Sequence, residues 1–114
     1  IHLSPINPQI ILHAWRRLKL PPLSRSMEVF RIPVSRLNES KTVICHLKTG
    51  TPVKKYFPFT RDEYREELEV SPQQIAEWMD QQAKGLPPFW YSATPHILTR
   101  DEIDVAGLEV FEIS

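Results

Sequence analysis

The sequence predicts an α+β fold, in which a small antiparallel sheet of three to four strands is packed by three to four short helices. Two observations carry this prediction. Apolar and polar residues alternate through residues 41–48 and a short turn sequence follows, which is typical of a β-hairpin. Helix-starting sequences occur on both sides of this hairpin, as Asn-Pro, Ser-Pro and two copies of Thr-Arg-Asp-Glu. The chain of 114 residues is long enough for one modest core.

An N-terminal helix is predicted from Asn7, which is a good N-cap, and from Pro8, which suits the first helical position. The apolar stripe that follows these residues consists of Ile11, Trp15 and Leu18. Pro21 and Pro22 end the helix, because proline cannot continue it.

Charge divides the chain into two parts. Residues 1–26 carry four basic residues and no acidic residue, whereas residues 27–114 carry ten basic and fourteen acidic residues. We therefore predict a basic N-terminal helical arm with a Pro-rich linker over residues 1–26, and a single α+β domain over residues 27–114.

Four strands are predicted after the linker, over residues 27–34, 41–48, 53–59 and 108–113. The second and third form the hairpin through Thr49-Gly50, because Gly50 is free to adopt a positive φ. Prolines at positions 33, 52 and 58 place the first and third strands at sheet edges, since proline has no N–H to donate to a neighbouring strand.

Three further helices are predicted in the C-terminal half. Each Thr-Arg-Asp-Glu sequence has the form of a capping box, so we expect helices over residues 60–69 and from Thr99 to about Gly107. The helix between them begins at Ser71 and ends at Gly85. Its apolar face consists of Ile75, Trp78, Met79 and Gln82.

No group of residues in the sequence has the pattern of a catalytic or metal site. Cys45 and His46 are neighbours on a predicted strand, so their side chains point to opposite faces and cannot pair. The acidic residues between positions 62 and 69 are typical of a solvated helix face. Glycine occurs three times, which is too few for a phosphate-binding loop. We expect a non-enzymatic protein that binds no cofactor and no metal, with an enzyme that uses a carboxylate or Cys45 as the remaining alternative.

Two features of the composition bear on location. No apolar run approaches the roughly 20 residues that span a bilayer, so the sequence predicts no membrane partner. Cys45 is the single cysteine and cannot form an internal disulfide, which favours a reducing compartment. We expect a cytoplasmic protein, with the nucleus or an organelle interior as alternatives.

The leading functional hypothesis is a protein-interaction module, such as a regulator, an inhibitor or a small subunit of an assembly. Its expected partner is another protein, and a second copy of the chain is a further option. Aromatic residues on a stiff, proline-flanked loop make good contact anchors, because they lose little entropy on binding. Together with the basic arm, this loop gives the predicted contact residues Trp15, Arg16, Arg17, Phe89, Trp90 and Tyr91.

The alternative is a nucleic-acid-binding module. A basic and aromatic hairpin surface would bind single strands by charge and stacking, and its residues are Lys41, His46, Lys48, Lys54, Lys55 and Tyr56. Residues 68–78 also resemble the turn and second helix of bacterial helix-turn-helix regulators. The resemblance implies that Ser71 caps a recognition helix whose Gln73 and Gln74 face the DNA groove. Residues 62–80 contain one Arg and seven acidic residues, a balance that would repel phosphate and so favours the protein-interaction hypothesis.

Overall fold

The computed structural model describes residues 1–23, 25–47 and 54–113, which form two antiparallel sheets and two α-helices. The helices are α1 (Pro8–Arg17) and α2 (Pro72–Ala83). The larger sheet consists of β1 (His2–Leu3), β3 (Thr42–Leu47), β4 (Lys54–Pro58) and β5 (His96–Thr99). The smaller sheet pairs β2 (Met27–Phe30) with β6 (Val110–Ile113). The predicted α+β class with a small antiparallel sheet is confirmed.

Both α-helices begin at the predicted capping residues. Asn7 Oδ1 accepts a hydrogen bond from the Gln9 N–H at 2.9 Å, and Ser71 Oγ accepts one from the Gln74 N–H at 3.1 Å. Proline occupies the first turn in each case, where its missing N–H leaves no intrahelical bond unmade. The buried face of α1 consists of Ile11, Leu12, Ala14 and Trp15.

The predicted hairpin pairing is confirmed. The larger sheet has the order β1-β5-β3-β4, so β3 and β4 are antiparallel neighbours and β4 lies at an edge. Pro58 is in this edge strand, as its missing N–H predicts. The predicted turn Thr49-Gly50 and Pro52 lie outside the described residues.

The first and last predicted strands pair with each other. β2 covers only the first part of the predicted strand 27–34, because a 3₁₀ turn, Val34–Arg36, begins directly after Pro33. β6 lies within the predicted strand 108–113. Together these strands form a separate two-stranded sheet.

The sequence does not predict β1 or β5. β5 has four residues and β1 has two, so neither is long enough to show an alternating pattern. β5 nevertheless lies inside the sheet, where Ile97 is paired with Leu3 of β1 on one side and with Ile44 of β3 on the other. The sheet face that carries Ile97 packs against the rest of the protein, because Ile97 belongs to a buried cluster with Leu37 and Phe59.

The prediction of three to four helices is wrong, since residues 60–69 contain one turn, at 61–63, and no helix. The Tyr64 N–H donates to the Thr60 carbonyl at 3.0 Å, but the buried Thr60 hydroxyl has no hydrogen-bond partner among the described residues. Two sets of interactions oppose a longer helix. Arg61 is bound to the preceding segment, because its backbone N–H donates to Glu39 Oε1 at 2.7 Å and its guanidinium donates to the Leu37 carbonyl. The five acidic residues of the segment also repel one another at helical spacing.

The second capping box also starts no helix. Thr99 is the last residue of β5, and its hydroxyl accepts hydrogen bonds from the Asp101 N–H at 3.2 Å and from the Thr42 hydroxyl at 3.1 Å. The Thr side chain therefore stabilises a turn at the end of a strand. Gly107 has a positive φ of 73°, but it lies in a turn and ends no helix.

The larger buried cluster lies between α1 and α2. Five of its six residues come from the first 20 positions and one comes from α2: Ile6, Ile11, Ala14, Trp15, Leu20 and Trp78. The N-terminal segment therefore packs into the core, and the domain boundary at residues 26/27 stays a prediction. Within the part of the chain that the structure describes, no helix is long and apolar enough to cross a membrane.

Candidate functional site

The end of α2 turns the chain sharply into the loop formed by residues 86–92, called the aromatic loop below. The Gly85 N–H donates to the Gln82 carbonyl at 3.0 Å, and the Leu86 N–H donates to the Gln81 carbonyl at 2.9 Å. This pair of bonds is a Schellman motif, which needs a residue with positive φ just after the helix. Gly85 provides it with a φ of 72°.

One face of α2 holds the aromatic loop through side-chain hydrogen bonds. Gln74 Nε2 donates to the Trp90 carbonyl at 2.6 Å, and Trp78 Nε1 donates to the Phe89 carbonyl at 2.8 Å. Gln81 uses both ends of its amide: Oε1 accepts from the Phe89 N–H at 2.8 Å, and Nε2 donates to the Ser92 hydroxyl at 3.0 Å. The three side chains are spaced four and three residues apart, so they lie on one helix face.

Two of the three side chains that make these hydrogen bonds are buried. Trp78 is 0% exposed and Gln74 is 2% exposed. Below them three indole rings pack together, with the Trp15 ring 5.2 Å from that of Trp78 and 5.7 Å from that of Trp90. A buried, satisfied hydrogen bond constrains the backbone that it holds, because breaking it leaves an unpaired polar group. The aromatic loop therefore has a defined conformation in the free protein.

The outer side of the aromatic loop is apolar and exposed. Leu86 and Phe89 are each 56% exposed. The Phe89 ring contacts the Tyr91 ring edge-to-face, with centroids 6.2 Å apart. Tyr91 is half-buried, and burial raises the pKa of its hydroxyl group. The loop therefore presents the exposed Phe89 ring, which is supported by the Tyr91 ring.

The predicted contact residues fall into three groups. Trp90 is half-buried and packs on the buried Trp15, whose Nε1 donates to the Pro21 carbonyl at 2.6 Å, so Trp15 supports the loop from below. Phe89 and Tyr91 come together at the surface. The third group, Arg16 and Arg17, is exposed on α1.

Sequence reasoning missed the structural role of the two glutamines that hold the loop. Gln74 was predicted to face a DNA groove, and the structure contradicts this because its side chain is buried against the Trp90 carbonyl. The resemblance to a helix-turn-helix also fails, since residues 60–69 form no first helix. Gln73 is exposed. The sequence does contain a signal for this role. Gln74 lies four residues before Trp78 and Gln81 three residues after it, so both are on the helix face that carries the buried tryptophan.

The predicted hairpin surface is divided between two sheet faces. Lys54 and Tyr56 alternate with Lys55, so Lys55 lies on the opposite face of β4, although all three are exposed. His46 pairs with Lys55 and packs against the Phe57 ring at 5.2 Å. Lys48 lies outside the described residues. Lys41 forms an ion pair with Asp101, with 3.6 Å between Nζ and Oδ1.

Lys54 and Tyr56 share their sheet face with two histidines and the buried Cys45. Cys45 is paired with Tyr56 on one side and with His96 on the other. The His96 ring lies 6.1 Å from the His2 ring and 6.3 Å from the Tyr91 ring. Burial, and then the positive charges of His2 and Lys54, lower the pKa of His96. The structure brings no three potential metal-ligating side chains together among the residues it describes.

We expect the protein to lose stability as the pH falls below about 6.5, the ordinary pKa of histidine. The pKa of His96 is lower in the folded state, so the unfolded chain binds the proton first. The free energy of unfolding should therefore be highest above the unfolded pKa and fall to a lower plateau below the folded pKa. Urea unfolding of the wild type and of His96→Gln across this range measures the difference. The exposed His13→Gln is the control, and a His96→Gln variant with the wild-type slope would contradict the prediction.

Comparison with known proteins finds no family model that matches this chain, and no curated protein or solved structure with significant similarity to it.

Proposed function

We propose that this protein is a non-enzymatic interaction module, acting as a regulator, an inhibitor or a small subunit of a larger assembly, and that it binds its partner protein through the aromatic loop. The observation that carries this proposal is the support of the loop. Three side chains of α2 hold the loop with four hydrogen bonds, three to its backbone and one to the Ser92 hydroxyl, while Phe89 and Leu86 stay exposed above them.

Preorganisation is the reason that this arrangement suits binding. A loop that is already ordered pays little conformational entropy when a partner docks, so more of the contact energy appears as affinity. Large aromatic side chains are frequent hot spots in protein interfaces. We assign the central contact to Phe89, with Leu86 and Tyr91 beside it. Trp15 and Trp90 act from below by fixing the loop.

The basic residues of α1 have a different role in the proposal. Arg16 and Arg17 are exposed and can attract an acidic partner, which raises the association rate more than it raises affinity. The proposal that the aromatic loop contacts the partner does not depend on these two residues.

A second candidate function is nucleic-acid binding through the exposed strand β4. It is supported by Lys54, Lys55 and Tyr56, which are all exposed. Exposed Tyr and Lys side chains are the residue types that stack on bases and pair with phosphates.

One capture experiment tests both candidates. The immobilised protein is exposed to an extract of the cells that make it, with and without nuclease. We expect capture of a defined partner protein that survives nuclease and is lost with Phe89→Ala. The matched control is Val105→Ala, because Val105 is also an exposed apolar residue and lies outside the loop.

Two outcomes would contradict the proposal. Equal capture by wild type and Phe89→Ala would show that the aromatic loop is not the contact. Capture that nuclease abolishes and that Lys54→Ala/Lys55→Ala loses would favour the second candidate.

A further inference from the structure

A groove of about 590 Å³ separates α1 from the chain segment just before α2. Five of its lining residues are on α1, namely Ile10, His13, Ala14, Arg16 and Arg17. Leu68 and Glu69 line the other side. The volume lies within the range of pockets that bind ligands in proteins.

The wall opposite α1 is held in place by backbone contacts. The Glu67 N–H donates to the Pro5 carbonyl at 2.8 Å, and Ile6 and Glu67 form an isolated parallel bridge. Val70 packs against the buried cluster between the helices, and Ser71 then caps α2. The groove therefore exists because residues 67–70 are extended and not helical.

The groove combines an exposed apolar wall with uncompensated positive charge. Leu68 is 73% exposed, the largest exposed fraction of any large apolar side chain among the described residues. The guanidinium groups of Arg16 and Arg17 make no hydrogen bond or ion pair to any residue that the structure describes. Glu69 is the one acidic lining residue. An occupant that offers carboxylates and an apolar side chain would complement both features.

A second hollow extends the positive surface. Its volume is about 320 Å³, it shares Arg16 with the groove, and it also includes Arg25 and Leu23. Arg16 thus stands between two adjoining hollows. A bound chain that crosses the C-terminal turn of α1 would meet Arg17, Arg16 and Arg25 in succession.

We propose that this groove binds an acidic peptide segment of a partner protein, with an apolar side chain against Leu68 and Ile10 and carboxylates against Arg16 and Arg17. A peptide can place its charges to avoid Glu69 and the neighbouring Glu67. A nucleic acid presents a uniform row of phosphates and would be repelled by both. The inference rests on the proposed function, because it names the chemistry of the partner.

Fluorescence anisotropy of the purified protein tests the groove directly. The probe is a labelled peptide in which Glu and Leu alternate, and the comparison peptides are a Lys-Leu alternation and a Glu-only chain. We expect the Glu-Leu peptide alone to bind tightly. The double variant Arg16→Ala/Arg17→Ala should weaken binding at least about tenfold, because charged groups at an interface each contribute appreciably. Leu68→Ser should also weaken it, and its high exposure means that the fold is not at risk.

The matched control is Lys19→Ala/Arg31→Ala, which removes the same charge from two exposed positions outside the groove. An equal loss in this control, or equal binding of the Glu-only peptide, would overturn the proposal. So would the absence of binding by every peptide. Self-association of the wild type that Arg16→Ala/Arg17→Ala abolishes would assign the groove to a second copy of the chain and would also overturn it.

The experiments can reject the groove proposal and the aromatic-loop proposal independently of each other. Phe89→Ala should leave the affinity for the Glu-Leu peptide unchanged. If Phe89→Ala loses the captured partner while no peptide binds, the groove proposal is wrong and the loop proposal stands. If the peptide binds while Phe89→Ala retains the partner, the loop proposal is wrong and the groove stands.

Discussion

Replacing Trp78 with Ala should lower the free energy of unfolding by about 3–5 kcal/mol, the usual cost of removing a large buried aromatic side chain. Trp78 is fully buried between the helices, its ring packs edge-to-face on Trp15, and its Nε1 donates to the Phe89 carbonyl. The variant loses the packing and the hydrogen bond together. Urea unfolding followed by far-ultraviolet circular dichroism measures the change.

Trp78→Phe separates the two contributions. The phenyl ring fills much of the space but cannot donate to the Phe89 carbonyl. We expect a smaller loss of stability than in the Ala variant, accompanied by loosening of the aromatic loop. A cost of less than about 1 kcal/mol for Trp78→Ala would mean that this residue is not buried as described.

Removal of residues 1–26 should abolish cooperative folding of the remainder. This segment contributes five large buried side chains, which are Ile6, Ile11, Leu12, Trp15 and Leu20. At about 1.5–3 kcal/mol for each buried apolar side chain, their loss is comparable to the whole stability of a small domain, about 5–15 kcal/mol. The truncation would also expose Trp78 to water. A thermal melt of the 27–114 fragment tests this, and we expect no cooperative transition.

Arg16→Ala/Arg17→Ala is the control for the truncation, because it changes the same helix only at exposed positions and should melt like the wild type. A 27–114 fragment that melts cooperatively near the wild-type temperature would instead support the domain boundary predicted from charge.

Helices were predictable where a cap and an apolar stripe coincide. Asn7 and Ser71 each precede a stripe that can be buried, and both start helices. The two Thr-Arg-Asp-Glu sequences have a cap and no such stripe, and neither starts one. Local capping satisfies a few N–H groups, but burial of a helix face supplies most of the stability. The hydrogen-bonding of Thr99 depends on Thr42, which is 57 residues away in sequence and could not be foreseen.

The candidate site was predictable only in part. The aromatic loop was evident from its flanking prolines and consecutive aromatic residues. The sequence does not indicate which ring is exposed, because this depends on tertiary packing. Trp15 packs against both Trp78 and Trp90, whereas Phe89 is left outside. The groove could not be predicted either. Its wall exists because residues 67–70 follow an extended path, whereas the capping box at Thr60 predicted a helix over residues 60–69.

Amide hydrogen exchange at Phe89 tests most directly whether α2 holds the aromatic loop in a fixed conformation. The Phe89 N–H donates to the Gln81 side chain, whereas the Leu86 N–H donates to the Gln81 backbone carbonyl and so serves as an internal control. We predict that both amides exchange slowly in the wild type, and that Gln81→Ala accelerates exchange at Phe89 while Leu86 stays protected. Exchange of the wild-type Phe89 amide at the rate of an unstructured peptide would contradict the account.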